Sequence, residues 1–434
     1  MPDNETKAAT LVARCHEIQV SLGLKEVPEF EAIPLLGMAV RLSLHIQGLP
    51  AIDYHQLKLV AYHFLAIPAI VLDRVIRMLA DVEFVRITQE GNTIKRIVPT
   101  VPYYGAIYEN LGDYAVANYP LSEPEELAIV LLEKLSHAPD RLESLRASTG
   151  ADRKLFLRTV QVGTEGSYLI QRRARGRNIL LSPTYFAENG SIFADATVEQ
   201  GTKSIQELLS IVRAFQGYPL ELITKNKQIG DAQITGDQIR LLQRLAQDGV
   251  VKPPSITTSH AGINHFIFTP RPSGAALSPT KRDIYERAMA IVSAVRQGQL
   301  LPHRYAIRSP GAVLWKLKSD LRLGKATTEA TQQYSNLVHL RIARLVPVGN
   351  GFSELRIIDL PENREALDIA YSLVSSGQGS GLEIDQDARA ALQRDQEYVE
   401  SLISAGKLRE REQLSLTDDH QQQIELLLLG GRDS

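Results

Sequence analysis

Helical and β-type patterns alternate along the chain. Stretches in which apolar residues recur every three or four positions predict amphipathic helices, and each group of them is followed by two short runs rich in Val, Ile and aromatic residues. A turn containing Gly or Asn separates the two runs, and these residues tolerate the positive φ angles that tight hairpins need. The pattern therefore predicts helix-rich units that each end in a β-hairpin.

The hairpin glycines are almost evenly spaced. Gly91, Gly176, Gly262 and Gly349 follow one another at intervals of 85, 86 and 87 residues. A regular period of this kind is typical of repeated structural units. We therefore define repeats 1 to 4, which are predicted over residues 37–102, 120–187, 203–271 and 280–360.

Each repeat is predicted to contain helices ahead of its hairpin. In repeat 1, Asp53 is expected to cap a helix that ends near Phe64, and Pro68 is expected to open the next one. In repeat 2, Ser122 and Glu125 have the spacing of a capping box. The predicted helices cover residues 53–64 and 69–80 in repeat 1, 125–136, 139–147 and 151–162 in repeat 2, 204–215, 220–224 and 236–247 in repeat 3, and 280–297, 312–321 and 327–343 in repeat 4.

This order of helices and hairpin resembles the winged helix-turn-helix superfamily. The resemblance covers about residues 37–360 and rests on element order and spacing, with no sequence signature of one narrower family. It implies a fold that is mainly α with small β-hairpins (α+β), built of tandem winged-helix units plus a C-terminal helical segment. It also implies that the third helix of each unit faces a partner and that the hairpin acts as a wing.

Composition limits the classes of protein to consider. The 434 residues are 44% hydrophobic and 23% charged, which is typical of a globular protein with several domains. A single cysteine, Cys15, excludes an internal disulfide framework, and the first residues lack the pattern of a secretory signal. No apolar stretch approaches the ~20 residues that a membrane span needs. We therefore expect a cytoplasmic protein with no membrane contact.

Motifs for catalysis, metals and cofactors do not stand out. The glycine-rich run at residues 377–381 lacks the Lys-Ser/Thr pair of a phosphate-binding loop and is interpreted as a linker. The histidine pairs His55 with His63 and His260 with His265 lack the spacing of zinc ligands. The sequence thus predicts no enzyme, no metal and no cofactor.

Repeat 2 concentrates basic residues on its third helix and its hairpin. Residues 151–177 hold seven of them against two acidic residues, Asp152 and Glu165. The seven are Arg153, Lys154, Arg158, Arg172, Arg173, Arg175 and Arg177. In a winged helix the helical residues would face the major groove, and the hairpin arginines would reach phosphates or the minor groove. The alternative is a solvated basic hairpin that contacts nothing.

Repeat 4 carries a second basic region beside a polar helix. Its basic residues are Arg304, Arg308, Lys316, Lys318, Arg322, Lys325, Arg341 and Arg344. The predicted third helix presents Gln332, Gln333 and Asn336, whose amides suit adenine edges. The alternative is that these amides coat an exposed helix without contacting DNA. Trp315 lies between two leucines and is expected to be in the core.

The other segments predict different roles. The third helix of repeat 1 is so apolar that it is expected to be buried, and repeats 1 and 3 are interpreted as spacers or protein contacts. Residues 1–36 predict a helix and a connector. Residues 361–434 predict an acidic helical region, with 12 acidic and 6 basic side chains from Glu383 onward. The apolar residues around Leu426 would pack either on another protomer or on the same chain.

Two function classes follow from these patterns. The first, favoured by the two basic regions, is a non-catalytic DNA-binding protein: a transcription regulator, replication initiator or DNA-organising factor whose repeats 2 and 4 contact double-stranded DNA. The second is a protein-interaction scaffold in a larger nucleic-acid-handling complex, which a net charge of only −2 favours. A protein partner or self-association is expected at repeat 1 or at the C-terminal helices.

Overall fold

Helices dominate the structure. The computed structural model of the chain describes residues 2–91, 93–102, 104–186, 190–247, 256–258, 262–269, 279–301, 306–324, 328, 330–375, 386–393, 399–400 and 403–404. Its strands form small antiparallel sheets of two or three strands. The predicted fold class, mainly α with small β-hairpins, is confirmed.

Repeat 1 follows a long N-terminal helix. The elements are α1 (Pro2–Leu22), α2 (Ala32–Ile46), β1 (Ile52–Asp53), α3 (Tyr54–Leu65), α4 (Ala69–Asp81), β2 (Val85–Glu90), β3 (Thr93–Pro99) and α5 (Tyr104–Asn118). Asp53 caps α3 by accepting hydrogen bonds from the backbone amides of His55 and Gln56, as its position predicts. Strand β3 pairs with both β1 and β2.

Helix α4 is less completely buried than its composition predicts. Its inward face holds Leu72, Val75, Ile76 and Leu79, all fully buried. Ile70, which the apolar composition of this helix predicts to be buried, is instead 87% exposed. At 100° per residue Ile70 lies about half a turn from the centre of that face, so the prediction for this residue was wrong.

Repeat 2 has the same sheet arrangement as repeat 1. The elements are α6 (Glu123–His137), β4 (Asp140–Arg141), α7 (Leu142–Thr149), α8 (Arg153–Glu165), β5 (Ile170–Ala174), β6 (Arg177–Leu181), α9 (Pro183–Phe186) and α10 (Gly190–Gln200). The capping box of Ser122 and Glu125 is present. Strand β6 pairs with the short β4 and with β5, as β3 does with β1 and β2. Helix α10 is absent from the sequence prediction.

Repeat 3 keeps this plan with shorter strands. The elements are α11 (Thr202–Ala214), β7 (Tyr218–Pro219), α12 (Leu220–Asn226), β8 (Gln228–Ile229), β9 (Ala232–Gln233), α13 (Gly236–Gln247), β10 (Ile256–Thr258), β11 (Gly262–Asn264) and β12 (Phe266–Ile267). Strand β10 pairs with β11, and β12 pairs with β7. Residues 248–255, between α13 and β10, lie outside the described residues.

Repeat 4 and the C-terminal segment complete the chain. The elements are α14 (Pro279–Gln297), α15 (Pro310–Asp320), α16 (Ala330–Gln333), α17 (Ser335–His339), β13 (Ala343–Gly349), β14 (Phe352–Ile357), α18 (Pro361–Ser375) and α19 (Gln386–Gln393). The single helix predicted over residues 327–343 was wrong, because the backbone leaves helical geometry at Tyr334, whose side chain is buried. The helix predicted near Leu426 and the glycine run at residues 377–381 lie outside the described residues.

The chain divides into two compact regions. The first consists of Met1–His16, Ala32–Pro120 and Ile384–Ser434, and the second of Glu17–Glu31 and Leu121–Glu383. The first region therefore contains repeat 1 together with α19, which packs on α2 and α3. In the second region one apolar core runs from repeat 2 through repeats 3 and 4 into α18.

Candidate nucleic-acid interface

Helix α8 presents two cations at its start. Asp152 caps the helix by accepting hydrogen bonds from the backbone amides of Lys154 at 2.7 Å and Leu155 at 3.3 Å, which lower the pKa of its carboxyl group. Arg153 and Lys154 occupy the first turn and are exposed. The opposite face of α8 is buried, with Phe156 at its centre. The cap and the buried face thus fix which side of α8 faces solvent.

Arg158, one turn further along α8, has a partner within the chain. Its Nη2 lies 2.8 Å from Oε1 of Glu29, and its Nε donates to the same oxygen at 2.8 Å. This hydrogen bond lowers the pKa of the Glu29 carboxyl group. The sequence prediction treated Arg158 as available to DNA, but Glu29 matches its charge, and the two residues are 129 positions apart.

The hairpin of repeat 2 holds the predicted arginines. Arg172 and Arg173 lie on β5, and Arg177 begins β6. The turn consists of Arg175 and Gly176, with φ angles of 46° and 78°. Two successive positive φ angles match the twist of the flanking strands, which is the hairpin geometry that Gly176 predicted.

Helix α10 covers one face of this hairpin. Ala194 of α10 packs with Ala174 and Ile179 of the hairpin in a small apolar cluster. Glu199 of the same helix forms an ion pair with Arg175 at the turn. The hairpin is therefore a supported element with one covered face, and Arg175, like Arg158, has its charge matched.

Five of the seven basic residues within residues 151–177 remain solvent-facing. They are all exposed and have no ion-pair partner among the residues that the structure describes. The five are Arg153, Lys154, Arg172, Arg173 and Arg177. Helix α8 packs against β5, so the helix and the hairpin that carry these cations are neighbours. We call these five residues the repeat 2 basic cluster.

The lysines of repeat 4 are largely matched by acidic residues. Lys318 Nζ lies 2.9 Å from Oδ1 of Asp368 on α18 and 5.7 Å from the centre of the Tyr371 ring. Lys316 Nζ lies 3.9 Å from Oδ2 of Asp320. Arg322 is exposed without an ion pair in the described part of the chain, and Lys325 lies outside that part.

The amide residues of repeat 4 do not act together. Gln333 is buried, and its Nε2 donates to the carbonyl oxygen of Ala294 at 2.8 Å. The prediction that Gln333 reads bases was therefore wrong, because this amide closes a hydrogen bond inside the core. Gln332 is exposed on α16, and Asn336 is half-buried on α17. The break at Tyr334 separates the two, so no single helix face presents them.

Trp315 was also predicted wrongly. The sequence places it between Leu314 and Leu317, and both leucines are fully buried. Trp315 itself is 59% exposed on the outer side of α15. Successive residues of a helix are rotated by 100°, so Trp315 faces a different direction from Leu314 and Leu317 and lies outside the core.

The first compact region buries two histidines. Burial, together with the nearby Arg41 charge, lowers the pKa of His16 to about 3, and burial likewise lowers the pKa of His45 to about 3. The Nδ1 of His45 lies 2.6 Å from the carbonyl oxygen of Arg41. Both rings are therefore neutral at physiological pH. They belong to the packed interior and not to an exposed site.

The described residues contain neither a metal-binding group of side chains nor a single helix that could span a membrane. Within them, no group of three or more His, Cys, Asp or Glu side chains is placed to hold a metal ion. Among the same residues, no single helix is both long and apolar enough to cross a membrane. The strongest feature in these ranges is the repeat 2 basic cluster.

Comparison with known proteins identifies no family for this chain. No protein-family model matches the chain, and no curated protein sequence matches it. The fold alone defines the class: a mainly α protein with small antiparallel sheets of two or three strands.

Proposed function

We propose that this chain is a non-catalytic, cytoplasmic DNA-binding protein that holds the phosphate backbone of a duplex with repeat 2. The observation that carries the proposal is the repeat 2 basic cluster. Five exposed cations that form no ion pair with the described residues repel one another, and an anionic partner relieves that repulsion. Phosphate contacts by Lys and Arg supply most of the affinity in sequence-independent DNA binding.

The arrangement of elements supports the resemblance to winged helices. In repeats 1 and 2 a short strand follows the first helix, precedes the next two helices and pairs with the second hairpin strand. In such a unit the helix before the hairpin enters the major groove while the hairpin contacts the adjacent backbone. On this proposal Arg153 and Lys154 face the groove, and Arg172, Arg173 and Arg177 contact phosphates.

The contribution of repeat 4 is smaller in this proposal than in the sequence prediction. Its exposed and unpaired Arg322 supports a phosphate contact, whereas Lys316 and Lys318 have acidic neighbours in the described part of the chain. Gln332 and Asn336 would reach DNA only from separate short helices. Roles as a transcription regulator, a replication initiator or a DNA-organising factor all fit a protein that binds mainly through phosphates.

Substitution of the three hairpin arginines tests the proposal. We expect Arg172→Ala, Arg173→Ala and Arg177→Ala together to weaken binding to any duplex and to lower the salt slope by about 0.9 log units for each phosphate that the variant no longer neutralises. The assay is fluorescence anisotropy with a labelled duplex at several salt concentrations. The control removes three exposed lysines from repeat 3, with Lys203→Ala, Lys225→Ala and Lys227→Ala, which lowers the net charge equally.

Two results would contradict the proposal. If both triple variants lose affinity equally, the effect reflects net charge and not a site at repeat 2. If the unaltered chain does not bind duplex at low salt, the scaffold class takes precedence.

The exposed Val348 and Phe352 beside the turn of the β13–β14 hairpin favour the scaffold class, because apolar side chains on an exposed turn suit a protein contact.

A further inference from the structure

Trp315 stands apart from every other large aromatic side chain in the described residues. It is the only tryptophan of the chain, and 59% of it is exposed. Its neighbours Leu314 and Leu317 anchor α15 in the core, which holds the helix rigidly beneath the indole. Within the described part of the chain the indole makes no hydrogen bond, ring contact or cation–π contact.

The turn before Trp315 leaves the ring accessible. Long side chains on a helix lean toward the preceding turn, here toward Gly311 and Ala312. Both residues are small, and a Cβ added at Gly311 would meet only Cγ1 of Val374, at 4.0 Å. No bulky side chain of α15 therefore covers this side of the indole, and 59% of the residue stays exposed.

Cations flank both ends of the helix that carries Trp315. Arg308 and Arg322 are each seven residues from Trp315, one before and one after it, and both are exposed. Neither has an ion-pair partner among the residues that the structure describes. Helix α15 extends about 8 Å from Trp315 toward each of its ends. Arg308 and Arg322 lie two residues beyond those ends, where their side chains can meet the phosphates on either side of a base that lies on the indole. Lys316 adds a third cation, only loosely held by Asp320 at 3.9 Å.

We infer that Trp315 is a stacking platform for an unpaired base of single-stranded nucleic acid, with Arg308 and Arg322 contacting the flanking phosphates. Every base has a flat π-face, so an exposed indole flanked by cations suits this ligand without regard to sequence. In a regular duplex the faces of the bases are already stacked on one another, so this site selects single strands. The inference rests on the proposed nucleic-acid function but uses a different repeat and a different form of the ligand.

A fluorescence titration of the full chain tests the inference. Because the chain has one tryptophan, all indole emission comes from this residue. We expect a ten-nucleotide oligo(dT) to quench this emission in a saturable way at low salt. An oligonucleotide of the same length with abasic sites carries the same phosphates, and we expect it to quench far less. Equal quenching by both ligands would overturn the inference, because it would show binding through charge alone.

Variants extend the test to affinity, measured by anisotropy of labelled oligo(dT). Trp315→Ala should weaken binding roughly 5- to 100-fold, which is the range for losing one stacked base. Trp315→Phe should retain most of the affinity, since a phenyl ring still stacks. Both variants alter an exposed side chain, and far-UV circular dichroism checks that they fold. Unchanged affinity in Trp315→Ala would overturn the inference.

Different results would contradict each of the two nucleic-acid proposals. The variant that lacks Arg172, Arg173 and Arg177 should bind duplex more weakly and still show quenching by oligo(dT). If oligo(dT) quenches the unaltered chain and duplex does not bind, the proposal for repeat 2 is wrong and the stacking site stands. If duplex binds and oligo(dT) leaves the emission unchanged, the stacking site is wrong and repeat 2 stands.

Discussion

Burial decides what each polar side chain does, and neighbouring residues of one type differ sharply. Gln332 faces solvent, while the adjacent Gln333 is buried and bonded to the carbonyl oxygen of Ala294. Sequence composition treats the two alike because both suit an exposed polar helix. Arg158 and Arg172 differ in the same way, since of these two only Arg158 meets a carboxylate in the described part of the chain, that of Glu29. The local sequence around Arg158 cannot reveal a partner that lies 129 residues away.

The buried histidines make stability depend on pH. The pKa values of His16 and His45 are about 3 in the folded chain, against an ordinary value near 6.5, so the unfolded chain takes up protons first as the pH falls. Their contribution is complete above about pH 6.5 and is lost below it, by about 2 kcal/mol for each histidine at pH 5. We expect the urea midpoint, followed by circular dichroism, to fall between pH 7.5 and pH 5.

A control variant identifies the source of this effect. His339 is exposed on α17, so His339→Ala should keep the full fall in the urea midpoint. His45→Gln should reduce the fall even where it lowers stability at pH 7.5, because one proton-binding group is gone. An equal fall in all three proteins would show that other groups cause the acid sensitivity.

At the scale of elements, capping residues and hairpin glycines allowed the most accurate predictions. Asp53 and the Ser122–Glu125 pair cap helices as their spacing predicts, and Gly91, Gly176 and Gly349 have positive φ. These signals succeed because each acts within a few residues. Helix α10 was missed because its sequence has no capping box and no strong apolar stripe. It buries residues against a hairpin that precedes it.

The contact between α1 and α5 yields a prediction at this scale. A Cβ added at Gly112 of α5 would lie 2.6 Å from the carbonyl carbon of Ala8, which belongs to the backbone of α1. Backbone cannot move aside without shifting a whole helix, so Gly112→Ala should destabilise the chain by about 1–3 kcal/mol. The measurement is the thermal unfolding midpoint.

Gly236 offers a matched control for this substitution. An added Cβ there meets only Nη1 of Arg240, at 3.8 Å, and φ is not positive. Gly236→Ala should leave the unfolding midpoint unchanged or raise it slightly, since alanine favours a helix by up to about 1 kcal/mol. If the two variants behave alike, α1 and α5 are not in the close contact described.

At the scale of the whole molecule, segments far apart in sequence complete one compact region. Nη1 of Arg389 on α19 donates to the carbonyl oxygens of Leu44 at 3.3 Å and His45 at 3.2 Å. These oxygens belong to the last turn of α2, where helical partners run out. The periodicity of the sequence predicts a C-terminal helix here, but nothing in the pattern indicates that it docks on repeat 1.

Removal of this arginine tests the docking. Arg389→Ala should cost about 1–3 kcal/mol, the range for hydrogen bonds from a charged group, and should speed amide hydrogen exchange in α2 and α3. Helix α14 in the second compact region should exchange as before. The control is Arg364→Ala, which removes an exposed ion pair with Asp359 and should change little. Faster exchange throughout both regions would contradict a local role for Arg389.

The docking of α19 joins segments that the ribosome makes at very different times. The side-chain amide of Gln56 donates to the carbonyl oxygen of Ala391, 335 residues later in the chain. At ~5–20 residues per second, roughly 20–70 s separate the translation of these two partners. The nascent chain therefore has time to fold repeats 2 to 4 while the α2 and α3 surface that α19 will cover stays open. That surface is therefore the last part of the first compact region to be buried.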